Sequence, residues 1–144
     1  MSSLVIAGDT SGTITLAATA IAGSNTITLP AATGTLALTG ASTTWTAPQR
    51  GTVTTDNDGS FDMNVTNNFK CTPTATFALT FTNITAGQSG YILLVNTGGY
   101  AITAAATTKV GTTFLSTIST AGTYLVSYFT DGTNVYCTAS GALS

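Results

Sequence analysis

The side chains that could carry chemistry are few in this chain of 144 residues. Three residues are basic, five are acidic, and the sequence contains neither histidine nor glutamate. The charged residues are Asp9, Asp56, Asp58, Asp62, Asp131, Arg50, Lys70 and Lys109. General acid–base catalysis near neutral pH draws mostly on histidine, on carboxylates and on lysines with shifted pKa values. The composition therefore predicts a protein that is not an enzyme.

Residues 56–62 (DNDGSFD) hold the densest group of carboxylates, at Asp56, Asp58 and Asp62. Calcium is the ion that such a group would suit, because it binds several hard oxygens on a tight, glycine-containing loop. The spacing differs from that of an EF-hand, and no glutamate closes the loop. Asp58 followed by Gly59 is instead typical of a solvated turn. We expect no metal at this place.

The sequence supports neither a catalytic nucleophile nor a phosphate-binding loop. Serines are numerous, but the chain has no histidine to act as their base. Lys70 and Lys109 lie in no recognisable Ser–Lys motif. Gly98 and Gly99 are predicted to join two strands in a hairpin, whereas a phosphate-binding loop joins a strand to a helix. The sequence predicts no cofactor.

The charge pattern also restricts the partners. The net charge is −2, and three scattered cations cannot make the basic face of a nucleic-acid binder. The longest run of strongly apolar residues is 91–95 (YILLV), far short of the ~18 needed to cross a membrane. The first nine residues do not match a signal peptide. A chain with so few charges is poorly protected against association, so contacts between copies are expected.

The front of the chain repeats a short strand pattern, at residues 12–16 (GTITL), 25–29 (NTITL) and 34–38 (GTLAL). Each repeat alternates polar with apolar side chains after a turn former, which is the period of a strand. The predicted core of these strands consists of Ile14, Leu16, Ile27, Leu29, Leu36 and Leu38. A lone sheet with so few large apolar side chains is marginal in water. We predict a β-stem or arm over residues 1–40 that packs against other copies, with extra strands lying across the C-terminal domain as the alternative.

Residues 41–51, which include Trp45, form the predicted joint to a second domain at residues 52–144. Short alternating segments, among them residues 114–118, are separated there by turn signals, as in an all-β antiparallel sandwich of jelly-roll type. The predicted core consists of Phe77, Leu79, Phe81, Ile92, Leu94, Tyr124, Val126 and Tyr128. Tyr100 is predicted to be an exposed contact residue. Cys71 and Cys137 are expected to be small buried residues, with a disulfide between them as the alternative.

Two stretches of this domain resemble a known family. Residues 80–99 (TFTNITAGQSGYILLVNTGG) and 119–143 (STAGTYLVSYFTDGTNVYCTASGAL) are similar to the small β-sandwich knob domain of bacteriophage virion proteins, which include tail fibres, head fibres and related surface proteins. Residues 11–36 are similar to segments of phage fibre and decoration proteins. The family often carries a tryptophan in its variable stretch, and residues 104–114 have none. The resemblance implies a homotrimeric virion component without catalysis.

Composition and resemblance together predict a non-enzymatic structural protein of a bacteriophage particle. It would decorate or cement the capsid exterior as a homotrimeric short fibre, located in the virion and assembled in the host cytoplasm. Its partners would be its own copies and the major capsid protein or another virion protein. The alternative is a tail-fibre receptor-binding protein that recognises a host surface glycan. The short chain favours the head, because a tail fibre usually needs a longer shaft.

Overall fold

A computed structural model of the chain describes residues 3–7, 11, 13–17 and 48–143. The chain divides into two compact units, Met1–Thr44 and Trp45–Ser144. Regular structure in the described residues is entirely strand except for one five-residue helix, which confirms the all-β prediction for this part of the chain. None of the described residues belongs to a helix with the length and apolar character that crossing a membrane requires.

The first unit contains an antiparallel hairpin of β1 (Ser3–Ala7) and β2 (Thr13–Ala17). Leu4 pairs with Leu16 and Ile6 pairs with Ile14, so the two alternating patterns are in register. Two residues of the predicted stem core, Ile14 and Leu16, therefore lie on a strand. The rest of that predicted core and the joint tryptophan lie outside the described residues, namely Ile27, Leu29, Leu36, Leu38 and Trp45.

The second unit contains two sheets. Its elements are β3 (Val53–Thr55), β4 (Ser60–Asp62), β5 (Asn68–Cys71), β6 (Phe77–Thr82), β7 (Ser89–Asn96), β8 (Ile102–Ala104), β9 (Thr108–Val110), α1 (Phe114–Ile118), β10 (Gly122–Thr130) and β11 (Val135–Ala139). The large sheet has six strands in the order β3-β5-β7-β10-β11-β9, and the small sheet has three in the order β4-β6-β8. From β3 to β9 the chain therefore passes to the other sheet after every strand.

This alternation makes the first part of the unit wind like a solenoid. The coils β3–β4, β5–β6 and β7–β8 stack with parallel pairing in both sheets, β3–β5–β7 in the large sheet and β4–β6–β8 in the small one. Strand β10 then returns antiparallel beside β7, and β11 is antiparallel to β10. Strand β9 completes the large sheet, parallel to β11.

The antiparallel, jelly-roll-like pairing predicted from the sequence is wrong for most of these ladders. The turn at Gly98 and Gly99 makes no hairpin, because it carries the chain from β7 in the large sheet to β8 in the small one. A turn-forming pair indicates that the chain changes direction, but it does not specify the sheet in which the next strand pairs. By contrast, the turn at Asp131 and Gly132 does form a hairpin, which joins β10 to β11.

The core lies between the two sheets. Phe61 on β4 lies 5.0 Å from Phe69 on β5, and Phe81 on β6 lies 5.1 Å from Tyr128 on β10, measured between ring centroids. Each pair joins the small sheet to the large one. Of the predicted core, these residues are buried: Leu79, Phe81, Ile92, Leu94, Tyr124, Val126 and Tyr128. Phe77 is only half-buried, at the margin of the core.

Helix α1 occupies residues 114–118, where a strand was predicted. Phe114 and Ile118 lie one helical turn apart, and both are buried, so this short helix needs only one face against the core. The hydroxyl of Ser119, just after the helix, accepts a hydrogen bond from the backbone N–H of Ile102 at 2.9 Å. This bond ties the end of the helix to the start of β8.

Candidate interaction surface

The two sheets turn chemically different faces outward. The outward positions of the small sheet carry small or polar side chains, which are Ser60, Asp62, Ala78, Thr80, Thr82 and Thr103. On its outer face the large sheet exposes Val53 on β3, at 65%, and five large apolar or aromatic side chains on β7, β10 and β11, each between 38% and 53% exposed, which are Tyr91, Leu93, Leu125, Phe129 and Tyr136. We call these five residues the outer apolar face. Clustered exposed apolar side chains usually mark a surface that another molecule covers.

Strand register brings the members of this face together. Leu93 on β7 pairs directly with Leu125 on β10, and Phe129 on β10 pairs with Tyr136 on β11. Directly paired side chains stand on the same side of a sheet, close enough to touch. Tyr91 pairs with Ser127, which lies between the two apolar pairs. The result is a continuous patch over three neighbouring strands.

The apolar run at residues 91–95 is the sequence signal of this face. Its residues alternate in burial, with Ile92 and Leu94 in the core and Tyr91 and Leu93 outside. Strands that are apolar at every position are typical of sheets covered on both faces. Within the described residues, only the inner face of β7 is covered.

Charged side chains stand at two places around the outer apolar face. Lys70 on β5 pairs with Leu93, and Lys109 on β9 pairs with Tyr136, so each lysine borders the patch. The ammonium group of Lys109 donates a hydrogen bond to the carbonyl oxygen of Ala106 at 2.7 Å. Both lysine side chains are exposed.

Asp131 lies beside the same face and is held by neighbouring donors. Its carboxylate accepts hydrogen bonds from the backbone N–H groups of Asn134 and Thr133, at 2.7 and 2.8 Å, and from the hydroxyl of Tyr136 at 2.9 Å. These donors lower the pKa of Asp131 to about 2. The hydrogen bond from the Tyr136 hydroxyl to Asp131 also raises the pKa of Tyr136.

The predicted acidic cluster lies beside β5, where the backbone N–H of Asp56 donates a hydrogen bond to the carbonyl oxygen of Lys70 at 2.9 Å. Asp56 and Asp58 are in the turn from β3 to β4, and Asp62 ends β4 in the small sheet. A hollow of about 580 Å³ separates this turn from the segment at residues 74–77. Burial, followed by the nearby Asp58, raises the pKa of Asp56. The side-chain amide of Asn83 donates to Asp62 at 2.8 Å and is the main cause of the lowered pKa of Asp62.

The described residues contain no group of three or more histidine, cysteine, aspartate or glutamate side chains that could hold a metal ion. Cys71 and Cys137 are buried and are not joined in a disulfide. Burial raises the pKa of both thiols to about 12, so neither is a ready nucleophile.

Tyr100 is not the exposed contact residue that the sequence predicts. It is half-buried, and its ring lies against Gly98. The buried side chain of Asn96 holds its backbone, because Asn96 Oδ1 accepts from the Tyr100 N–H and Asn96 Nδ2 donates to the Tyr100 carbonyl, each at 2.9 Å. The exposed tyrosines are Tyr91 and Tyr136, which lie on strands and are identified by their alternation with buried neighbours.

A shallow hollow of about 340 Å³ lies beside Tyr91, with Asn67, Asn68 and Ser89 in its wall. The side-chain amide of Gln88 donates to Asn67 Oδ1 at 2.7 Å, which fixes that amide group. An exposed ring beside amide and hydroxyl groups is the combination that suits a sugar, since the ring covers an apolar pyranose face while the polar groups bond its hydroxyls.

In the residues that the structure describes, these features define an all-β arrangement whose large sheet exposes an apolar outer face. The comparisons with known proteins find no matching family model, no matching curated protein and no matching solved structure.

Proposed function

We propose that this chain is a non-enzymatic structural protein of a bacteriophage particle, which decorates or cements the capsid exterior as a homotrimeric short fibre. In this proposal residues 1–40 are the stem or arm and residues 52–144 are a sandwich-like knob. Its partners are its own copies and the major capsid protein or another virion protein, and its place is the virion, assembled in the host cytoplasm. The outer apolar face is the observation that carries the proposal.

The outer apolar face is better explained as a docking surface than as a chance grouping of surface residues. Scattered surface apolar residues are ordinary, but here five of them adjoin in a regular sheet, in a chain whose eight charges leave little protection against association (three basic and five acidic residues). Self-association would cover the outer side of β7, whose residues 91–95 are all apolar. The phage assignment and the trimer rest on the resemblance of residues 80–99 and 119–143 to phage knob domains.

Analytical ultracentrifugation tests the association. We expect the wild-type chain to sediment as a trimer. A variant with Leu93→Ser and Leu125→Ser should dissociate at a concentration roughly tenfold higher or more, because each subunit contact loses buried apolar surface. The matched control carries Ala78→Ser and Thr82→Ser on the outward face of the small sheet and should stay trimeric. A wild-type chain that sediments as a compact monomer at all working concentrations contradicts the proposed trimer.

Electron microscopy of particles tests the location. Purified protein added to emptied capsids should appear at regularly repeated sites on the capsid exterior, with threefold density at each. Labelling confined to the tail would contradict the decoration role. Cross-linking at those sites then identifies whether the contacted subunit is the major capsid protein or another virion protein.

The hollow beside Tyr91 favours a second candidate, a tail-fibre receptor-binding protein that recognises a host surface glycan. In that case the wild-type chain binds host envelope polysaccharide, and Tyr91→Ala abolishes the binding. Tyr136→Ala removes the other exposed tyrosine of the same face and serves as the matched control, which should still bind. Capsid binding without polysaccharide binding favours the structural role instead.

A further inference from the structure

The hollow beside Tyr91 opens on the outer face of the large sheet, and neutral polar groups surround the ring. Asn68 on β5 pairs directly with Tyr91 on β7, and Tyr91 pairs with Ser127 on β10, so an amide and a hydroxyl stand on its two sides. Asn67 and Ser89 complete the polar rim. With about 340 Å³, the hollow is within the range of roughly 300–1,000 Å³ that small-ligand clefts occupy.

The amide groups of this hollow are held by their surroundings. Gln88 Nε2 donates to Asn67 Oδ1 at 2.7 Å and to the carbonyl oxygen of Met63 at 2.6 Å. Gly51 lies so close to Asn68 that a Cβ atom there would be 2.7 Å from Asn68 Nδ2. A ligand would therefore meet amides that are already positioned, which reduces the entropy lost on binding.

Two of the three basic residues of the chain border the hollow. Arg50 directly precedes Gly51, which forms part of the wall. Lys70 follows Asn68 by two residues on β5, so it stands on the same outer face, diagonal to Tyr91. Both basic side chains are exposed. A ligand stacked on the ring is therefore within reach of positive charge.

The carboxylates of the turn from β3 to β4 do not line this hollow. The backbone N–H of Asp56 bonds the Lys70 carbonyl, but Thr55 is the residue that pairs with Lys70 on the outer face. Asp56 comes next along the chain, so its side chain turns toward the opposite side of the sheet. In agreement with this, the pKa of the buried Cys71 thiol is raised to about 12 by burial first and then by Asp56. Positive charge therefore predominates on the outer side.

We propose that this hollow binds an acidic saccharide, with a sugar ring on Tyr91 and an acidic substituent facing Lys70 and Arg50. The amides of Asn67 and Asn68 then bond the sugar hydroxyls. This inference deepens the second candidate of the proposed function, the binder of a host surface glycan, and rests on it. A nucleic acid fits the site less well, because it carries a phosphate at every nucleotide and the chain has a net charge of −2.

A glycan array tests the charge preference. The array carries bacterial surface polysaccharides of known structure, acidic and neutral in equal number, together with single-stranded DNA. The wild-type chain should retain acidic glycans at low salt and release them as the ionic strength rises. Neutral glycans retained as strongly as acidic ones overturn the proposal, and so does stronger retention of the DNA. If no glycan is retained, the second candidate itself is refuted.

Substitution of the basic residues tests the contact, with an oligosaccharide of the most strongly retained glycan as the probe. Arg50→Gln combined with Lys70→Gln should raise the Kd by roughly threefold to tenfold at low salt and remove most of the salt dependence. Lys109→Gln is the matched control, because Lys109 lies on β9, three strands from β7, and it should bind like the wild type. A double variant that binds as tightly as the wild type overturns the proposal. If Tyr91→Ala still abolishes binding in that case, the glycan-binding function stands and only the charge contact is refuted.

Neutralising the glycan gives a second measurement that leaves the protein unchanged. Amidation of the carboxylates of the oligosaccharide, or removal of its phosphates, should weaken its binding to the wild-type chain by the same factor as the double substitution. The effect should not depend on the fold of any variant, which melting curves check separately. An oligosaccharide that binds equally well after neutralisation overturns the proposal.

Discussion

Replacing Gly90 by alanine should be unusually destabilising for a surface strand position. A Cβ atom at Gly90 would lie 1.7 Å from the backbone oxygen of Asn67 and 2.7 Å from the hydroxyl of Tyr128. The Asn67 oxygen accepts hydrogen bonds from the N–H of Tyr91 at 3.0 Å and from the Tyr128 hydroxyl at 2.8 Å. One oxygen therefore joins the start of β5 to β7 and β10, and any side chain at Gly90 must push it away.

The expected cost follows from those contacts. Losing two hydrogen bonds costs about 1 kcal/mol each, and the forced backbone shift adds roughly 1–3 kcal/mol of overpacking strain. Gly90→Ala should therefore lower the free energy of unfolding by about 3–5 kcal/mol, a large share of the roughly 5–15 kcal/mol of a typical domain. At roughly 2–4 °C per kcal/mol, the Tm falls by roughly 6–20 °C.

Urea unfolding followed by far-UV circular dichroism measures this loss. Gly111→Ala is the matched control, because a Cβ at Gly111 meets no atom within 4 Å, and it should change the free energy by less than about 0.5 kcal/mol. Tyr128→Phe keeps the ring and removes one hydrogen bond, so it should lower the free energy of unfolding by about 1 kcal/mol. If Gly90→Ala is no more costly than Gly111→Ala, the approach of Asn67 to β7 is refuted, and with it the parallel register of β5 and β7.

Three further predictions concern single groups. Asn96→Ala should lower the free energy of unfolding by about 2–4 kcal/mol, because removal of this fully buried amide leaves the Tyr100 backbone and the Ile118 carbonyl without hydrogen-bond partners. Thr97→Ala, on the exposed turn, is the control in the same urea titration. Because hydrogen bonds lower the pKa of Asp131 to about 2, its carboxylate stabilises the folded state above a pH of about 4. This contribution is lost as the pH falls toward 2, so Asp131→Asn should flatten the dependence of Tm on pH between these values. Cys71 and Cys137, with pKa values raised to about 12 by burial, should resist iodoacetamide at mildly alkaline pH until the protein is unfolded in urea; rapid labelling of the folded protein would contradict their burial.

The sequence predicted the inward side of the strands because period two is a local property. Leu79 and Phe81 alternate with small or polar neighbours, and the structure buries both. It did not predict the pairing, since parallel neighbours such as β5 and β7 are separated in sequence by a strand of the other sheet. Nothing in the residues at a turn records which sheet follows. The helix at residues 114–118 is too short for a periodic signal, although Phe114 and Ile118 do have helical spacing.

The interaction surface was missed for a different reason. The apolar run at residues 91–95 predicts a strand, but the outward residues Tyr91 and Leu93 of β7 need a cover that the described part of the chain does not supply. Tyr100 was preferred as the exposed ring because it follows a glycine turn. The side-chain bonds of Asn96 draw that turn inward, and such long-range polar contacts leave no trace in local composition.

The winding of the second unit explains why an exposed apolar face and an unpaired strand edge occur together in its described residues. Coils add in one direction, and the antiparallel return of β10 beside β7 ends the addition in the large sheet. Among the described strands, the first coil keeps an unpaired edge, while the wide sheet made by β7, β10 and β11 keeps an apolar outer face. Natural proteins protect free edges and apolar faces with charges, but residues 52–144 contain only two lysines and four aspartates. So few charges leave the apolar face and the unpaired edge poorly protected against association.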